Sequence, residues 1–216
     1  MKEEIKTLVQ CDFDGTVTEE DVSFIILDAF SGTGWRQLFR DYQEGKLTVG
    51  RFNAEAFSGV KADKKSLVEV VRREAKVRSG LRELVDCCRR KGYRFVIVSN
   101  GLQFYIEEIV YGMGITGVEV FAAKTEFSPD GLKVQYVGPD GSFVDNDVKA
   151  AYVDSFVAEG YRVVYIGDGL SDTIPAGKSH YVFATRNLPE HCRKANIVFT
   201  PFSDLSDIVG VIESWQ

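Results

Sequence analysis

The 216-residue chain has no apolar run approaching the ~20 residues that a membrane-spanning helix requires, so no membrane partner is expected. Its 26 Lys and Arg are outnumbered by 32 Asp and Glu, and the basic residues form no run. A nucleic-acid surface needs a basic stripe, and that class of partner is excluded on the same ground. The start, Met1-Lys2-Glu3-Glu4-Ile5-Lys6, mixes charges and has none of the apolar region of a signal peptide, which predicts a cytoplasmic protein. Cysteine is scarce: Cys11, Cys87, Cys88 and Cys192. Neighbouring Cys87 and Cys88 are poorly placed to bridge, and no CxxC pair suggests zinc, so reduced, buried thiols are expected. The two histidines, His180 and His191, are isolated and read as structural or surface residues.

What remains is ordinary globular composition, 44% hydrophobic and 27% charged. Short β-branched runs alternate with helical stretches. Strands are predicted at Thr7–Cys11, Arg94–Val98, more weakly Val118–Ala122, Arg162–Ile166, His180–Ala184 and Ile197–Phe199. Helices are predicted at Gly80–Lys91, Gln103–Tyr111 and Val148–Glu159, with Gly92 and Gly160 at their ends. This alternation predicts an α/β protein built on an open parallel sheet. Between Thr18 and about Arg78 no strand pattern is found. Four helical stretches fill that segment: Glu20–Phe30, Trp35–Glu44, Val49–Ser58 and Lys64–Lys76, with Thr48 and Asp63 as N-caps. The expected organisation is a core from residues 1–17 and 79–216, with an inserted helical cap at 18–78. Two Pro-Asp-Gly turns, at 129–131 and 139–141, predict a hairpin-like excursion within 124–147.

Three polar clusters follow predicted strand ends: Asp12-Phe13-Asp14-Gly15-Thr16-Val17-Thr18, Ser99-Asn100-Gly101, and Gly167-Asp168-Gly169-Leu170-Ser171-Asp172. Ligands of open α/β sheets bind in the crevice beyond such ends. Clustered carboxylates repel one another unless a hard cation sits among their oxygens. Either acidic segment alone is ordinary turn chemistry; both together, each after an apolar strand, point to a site.

The series DFDGTVT, SNG, Lys149 and GDGLSD, in that order, resembles the haloacid dehalogenase-like superfamily of phosphatases. The helical insertion after the first motif resembles its phosphoserine phosphatase-like subgroup. The resemblance implies a Rossmann-like core, a helical-bundle cap, Mg²⁺ as cofactor and a small-molecule phosphate ester as substrate. It implies Asp12 as nucleophile and Asp14 as general acid and base. Asp12, the Asp14 carbonyl and Asp168 would hold the metal, with Asp172 supporting it. Ser99, Asn100 and Lys149 would hold the phosphoryl oxygens.

The alcohol half of the ester stays open between two branches. Phosphoserine phosphatases carry a glutamate in the flap after the first motif, and Asp21 stands in the matching place. Thr18-Glu19-Glu20-Asp21 also reads as a capping box, so Asp21 is either cap or substrate contact. The arginine that reads a serine carboxylate has only Arg51 as a counterpart, and Ser171 replaces that group's asparagine. The segments Ala75–Gly80, Gly101–Tyr105 and Ala184–Leu188 with Cys192 resemble instead the 2-hydroxy-3-keto-5-methylthiopentenyl-1-phosphate phosphatases of methionine salvage. Phe24, Trp35, Phe39 and Phe52 either pack the helical bundle or offer a methylthio chain an apolar wall. A function of another class, a non-hydrolytic phospho-acceptor signalling module, uses similar carboxylates; Asp14 and the cap argue against it. Two decoys fail. Ser31-Gly32-Thr33-Gly34 lacks the strand and third glycine of a dinucleotide loop, and Gly177-Lys178-Ser179 lacks the earlier glycine of a P-loop.

Overall fold

Strand β1 (Thr7–Cys11) is buried on both faces and runs through the middle of the sheet. In parallel it pairs with β2 (Arg94–Leu102) on one side and β6 (Arg162–Gly167) on the other. Beyond β6 lie β7 (Tyr181–Ala184) and the two-residue β8 (Thr200–Pro201), both parallel. Beyond β2 lies β3 (Glu119–Ser128), parallel to β2, then antiparallel β4 (Gly131–Val137) and β5 (Phe143–Val144). The full order is β5-β4-β3-β2-β1-β6-β7-β8. This computed structural model describes residues 6–215; the mixed-charge start at Met1–Ile5 lies outside the described residues.

Helices α1 (Val22–Phe30), α2 (Trp35–Gln43), α3 (Val49–Ser58) and α4 (Lys64–Glu74) occupy the segment after the first acidic motif. Thr48 and Asp63 cap α3 and α4 as expected, accepting from Arg51 N at 3.2 Å and Ser66 N at 2.7 Å. The chain leaves and re-enters the sheet region through one antiparallel rung, Thr18 with Val77. Glu19 N to Lys76 O (2.9 Å) and Arg78 N to Val17 O (2.8 Å) flank it. The Arg78 guanidinium donates to the Gly15 and Thr16 carbonyls and to Ser203 O, fastening this crossing to the loop after β1.

The remaining helices are α5 (Leu81–Arg90), α6 (Gln103–Gly112), α7 (Val148–Ala158), α8 (Thr173–Lys178), α9 (Leu188–Lys194) and α10 (Leu205–Glu213). The predicted alternation holds through β6, and Gly92 and Gly160 follow α5 and α7 with φ of 70° and 85°. Four features differ. Strand β2 runs on through Ser99–Gly101 after an irregularity, and β3 is twice its expected length because its far half turns to pair with β4. The last strand is not Ile197–Phe199: Ile197 N folds back to Cys192 O at the end of α9, Val198 is 90% exposed, and pairing with β7 begins only at Thr200. Helices α8 to α10 were not expected; the first two have six and seven residues, too few to display a helical period.

Candidate active site

The strand order reverses between β1 and β6, and the two acidic segments leave the sheet there. Asp12 N still bonds Ile166 O at 2.9 Å, so the first carboxylate projects from the very end of the β1–β6 ladder. Gly15 turns the chain with φ of 79°, and a Cβ there would overlap the Asp168 carboxylate. That close approach is what draws the two segments together. Asp12, Asp168 and Asp172 each offer an oxygen within 4.8 Å of the others.

Their surroundings differ. Asp172 is fully buried, and both its oxygens are engaged. Oδ2 accepts from the Asp168 and Gly169 amides at 2.9 Å, while Oδ1 accepts from Lys149 Nζ at 2.7 Å and Tyr165 Oη at 2.6 Å. Burial opposes its charge, but Lys149 and these hydrogen bonds outweigh that and hold its pKa below the usual range. Asp172 therefore organises the loop from behind. Asp12 is also buried. Lys149 Nζ lies 2.8 Å from its Oδ1, and Thr16 Oγ1 donates to Oδ2 at 3.3 Å. Burial pushes Asp12 up to about 6 against the pull of Lys149. Burial and then the charges of Asp172 and Asp12 push Asp168 up to about 8. The donor set is hard oxygen and the free carboxylates resist ionising together, which is the setting a divalent oxygen-seeking cation relieves. The Asp14 carbonyl accepts no hydrogen bond among the described residues and fits as a further donor.

Lys149 reaches the carboxylates from the first turn of α7. Burial alone would lower its pKa, but Asp12 and Asp172 reverse this and raise it. Gln10, buried in β1, donates to the Lys149 carbonyl at 2.9 Å and fixes the start of that helix. Ser99 Oγ accepts from Gly101 N at 3.0 Å and faces the same cavity of about 450 Å³ as Asp12, Asp14 and Lys149. Asn100 lines it too, while its carbonyl turns away to accept from Asn53 Nδ2 (3.1 Å) and Tyr136 Oη.

Asp14 is held apart from the other carboxylates. Its Oδ1 accepts from Val22 N at 2.8 Å and its Oδ2 from Tyr105 Oη at 2.5 Å. Burial and then the charge of Asp21 raise its pKa well above that of a free aspartate. Asp21 itself is the N-cap of α1, accepting from Phe24 N at 3.1 Å, and it also lines the cavity. The expected capping box is thus displaced: Thr18 Oγ1 donates to Glu20 O instead, at 2.6 Å.

The cavity's far wall comes from α1, α2 and α3: Phe24, Phe39, Tyr42, Val49 and Phe52. Arg51 is exposed, pairs with Glu55 at 3.3 Å and does not line the cavity. Arg186, Asn187 and His191, none of them expected as site residues, do. His191 is therefore a site-facing residue rather than an isolated one. The signal lay in α9, which carries it to the cavity and was not recognised as a helix. His180 is structural, its Nδ1 accepting from Val163 N at 3.3 Å.

Comparison with known proteins agrees with this geometry. The family model for haloacid dehalogenase-like hydrolase matches residues 9–174. The 2-hydroxy-3-keto-5-methylthiopentenyl-1-phosphate phosphatase of Geobacillus kaustophilus is 26% identical over 211 residues, covering 95% of each chain. Its counterpart in Geobacillus thermodenitrificans is 28% identical over 208 residues, covering 94% of each. Among solved structures, a phosphoserine phosphatase from T. onnurineus superposes with a TM-score of 0.72 at 18% identity, covering all of this chain and 99% of that one. A substrate-bound phosphoserine phosphatase gives 0.71 at 20% identity, covering 97% and 99%. The motif pair, the reversal of strand order between its two members and the match from Val9 to Ile174 together show that this chain belongs to the haloacid dehalogenase-like hydrolase family.

Proposed function

We propose that the chain is a Mg²⁺-dependent phosphomonoesterase that works through an aspartyl-phosphate. The observation that carries this is the division of labour between Asp12 and Asp14. Asp12 sits beside Lys149 and within reach of Asp168, where a phosphoryl group and a cation would meet. Asp14 is separately oriented two residues on, with a raised pKa that keeps a proton available. A carboxylate oxygen of Asp12 attacks phosphorus, and the ester P–O bond breaks. Asp14 gives its proton to the departing alkoxide. It then takes a proton from water as that water attacks phosphorus, the Asp12–phosphorus bond breaks, and inorganic phosphate leaves. Lys149 and the Ser99 hydroxyl supply fixed positive charge and a donor where negative charge accumulates. Asp12, the Asp14 carbonyl and Asp168 would hold Mg²⁺, which as a Lewis acid would offset phosphoryl charge.

The segment 18–78 serves as the lid that selects the alcohol and excludes water. The substrate we favour is 2-hydroxy-3-keto-5-methylthiopentenyl-1-phosphate. Relatives bearing that name align over nearly the whole chain, and the wall of Phe24, Phe39 and Phe52 suits a methylthio chain. Serine would need a cation for its carboxylate; Arg51 stands outside the cavity, and Arg186, which lines it, is already paired with Asp168 at 3.6 Å.

The test is phosphate release by purified protein from a panel of esters with Mg²⁺. We expect turnover that Asp12→Asn abolishes, with preference for the methylthio ester. Full activity in Asp12→Asn would overturn the nucleophile assignment, and a strong preference for phosphoserine would overturn the substrate.

A further inference from the structure

Tyr105 lies on α6, one turn beyond the Ser99–Gly101 segment, and is completely buried. A fully buried tyrosine in a core is ordinary; the placement of its hydroxyl is not. Tyr105 Oη donates to Asp14 Oδ2 at 2.5 Å and lies 2.8 Å from Ser23 Oγ on α1. A phenol carries one hydrogen. With that hydrogen given to Asp14, Ser23 must be the donor in the second bond, so the chain runs Ser23 to Tyr105 to Asp14. The other Asp14 oxygen takes the Val22 amide of the same helix. Room for this arrangement exists because residue 101 is glycine: a Cβ there would overlap both Tyr105 Oη and Asp14 Oδ2.

We infer that Tyr105 is a positioning residue that, together with Ser23 and the first turn of α1, fixes the Asp14 carboxyl group for proton transfer to the leaving group. The inference rests on the phosphatase reading given above and extends it to residues outside the two acidic motifs. A carboxyl group turns freely about χ2 unless both oxygens are held. Here one oxygen is held from the lid helix and the other from a core helix whose hydroxyl is itself tied to the lid. Correct aim of the acid thus depends on α1 lying against α6. Misplacing a catalytic group by about 1 Å can cost on the order of 100-fold in rate.

A role confined to packing would weaken the enzyme on every substrate alike. Aiming the acid matters only where the leaving group needs a proton. The experiment therefore compares kcat/KM of wild type and Tyr105→Phe, with Mg²⁺, on p-nitrophenyl phosphate and on a simple alkyl phosphate. The parameter kcat/KM reports the steps up to the first irreversible one and so isolates ester cleavage. We expect the alkyl phosphate to lose on the order of 10- to 100-fold and the nitrophenyl ester less than about 3-fold. Ser23→Ala should repeat the pattern more weakly, since the Tyr105–Asp14 bond survives. Equal losses on the two esters, or a loss recovered by raising Mg²⁺, would overturn the assignment while leaving the phosphatase reading intact. A wild-type protein that turns over neither ester would overturn both. Tyr105→Phe keeps the ring, so its thermal unfolding should stay close to wild type; a large fall in Tm with equal losses would make Tyr105 a packing residue.

Discussion

The ammonium of Lys149 lies 2.7 Å from Asp172 Oδ1, while the other oxygen of that carboxylate holds the Asp168 and Gly169 amides. One buried cation thus braces the loop that carries Asp168, besides facing Asp12. Replacing it strands two buried carboxylates. Lys149→Ala should lose activity and, measured by thermal or denaturant unfolding without metal, should lose on the order of 3–5 kcal/mol of stability. Added Mg²⁺ should raise the Tm of this variant more than that of wild type, because a cation then answers charge that Lys149 no longer does.

The raised pKa of Asp168 gives the metal-free protein a distinctive pH dependence. Its folded-state value of about 8 stands well above the roughly 3.9 of an unfolded aspartate. Between those values the native state binds the proton and the unfolded state does not, so stability falls as pH rises from about 4 to about 8. Denaturant unfolding in the presence of chelator should show that decline, and Mg²⁺ should flatten it. A metal-free protein that grows more stable across this range would contradict the crowding seen at Asp168.

Asn53 ties α3 to the sheet away from the Thr18–Val77 rung. Its amide donates to Asn100 O at 3.1 Å and to Tyr136 Oη at 2.5 Å, joining α3, the Ser99–Gly101 segment and β4. Asn53→Ala should cost about 1–3 kcal/mol, the penalty for an under-satisfied buried network. It should also raise KM for phosphate esters, since α3 carries Phe52 into the cavity. Steady-state kinetics beside thermal unfolding check both.

Phe39 packs on Phe24 at 4.8 Å and on Phe52 at 5.6 Å between ring centroids, so it is both cluster and wall. Phe39→Ala should raise KM for the methylthio ester about 10-fold or more, while KM for phosphoserine changes by less than about 3-fold. Equal changes on the two esters would assign the aromatics to packing alone.

The parallel core was legible because buried strands such as Val163–Ile166 are continuous β-branched or aromatic runs, and the candidate site residues Asp12, Asp14, Ser99 and Asp168 because each follows such a run. Helix α10 was legible too, in the spacing of Leu205, Ile208 and Ile212, and was passed over. The relay to Asp14 was not legible. Ser23 and Tyr105 are 82 positions apart, and nothing local marks either as polar machinery rather than helix interior. His191 was hidden for a similar reason: a seven-residue helix gives no period from which to orient its faces. Arg186 and Asn187 stand in the turn just before that helix, where no period exists either. Of the two alternatives for Asp21, the cap is what the structure shows, and the same carboxylate also lines the cavity.

The single rung between Thr18 and Val77 has a consequence for how this protein could change. Because departure and return lie side by side, the sheet is indifferent to how much chain hangs between them; doubling such a loop costs only about 0.6 kcal/mol in closure entropy. Arg78 anchors the crossing to the Gly15 and Thr16 carbonyls, so a remodelled lid would inherit the same catalytic loop in the same place. A new insertion would have to rebuild the contacts from α1 to Asp14, made by Val22 directly and by Ser23 through Tyr105, and that of Asn53 to the Ser99–Gly101 segment. On the proposed reading, the segment that would choose the substrate also holds Asp14, through the adjacent Val22 and Ser23.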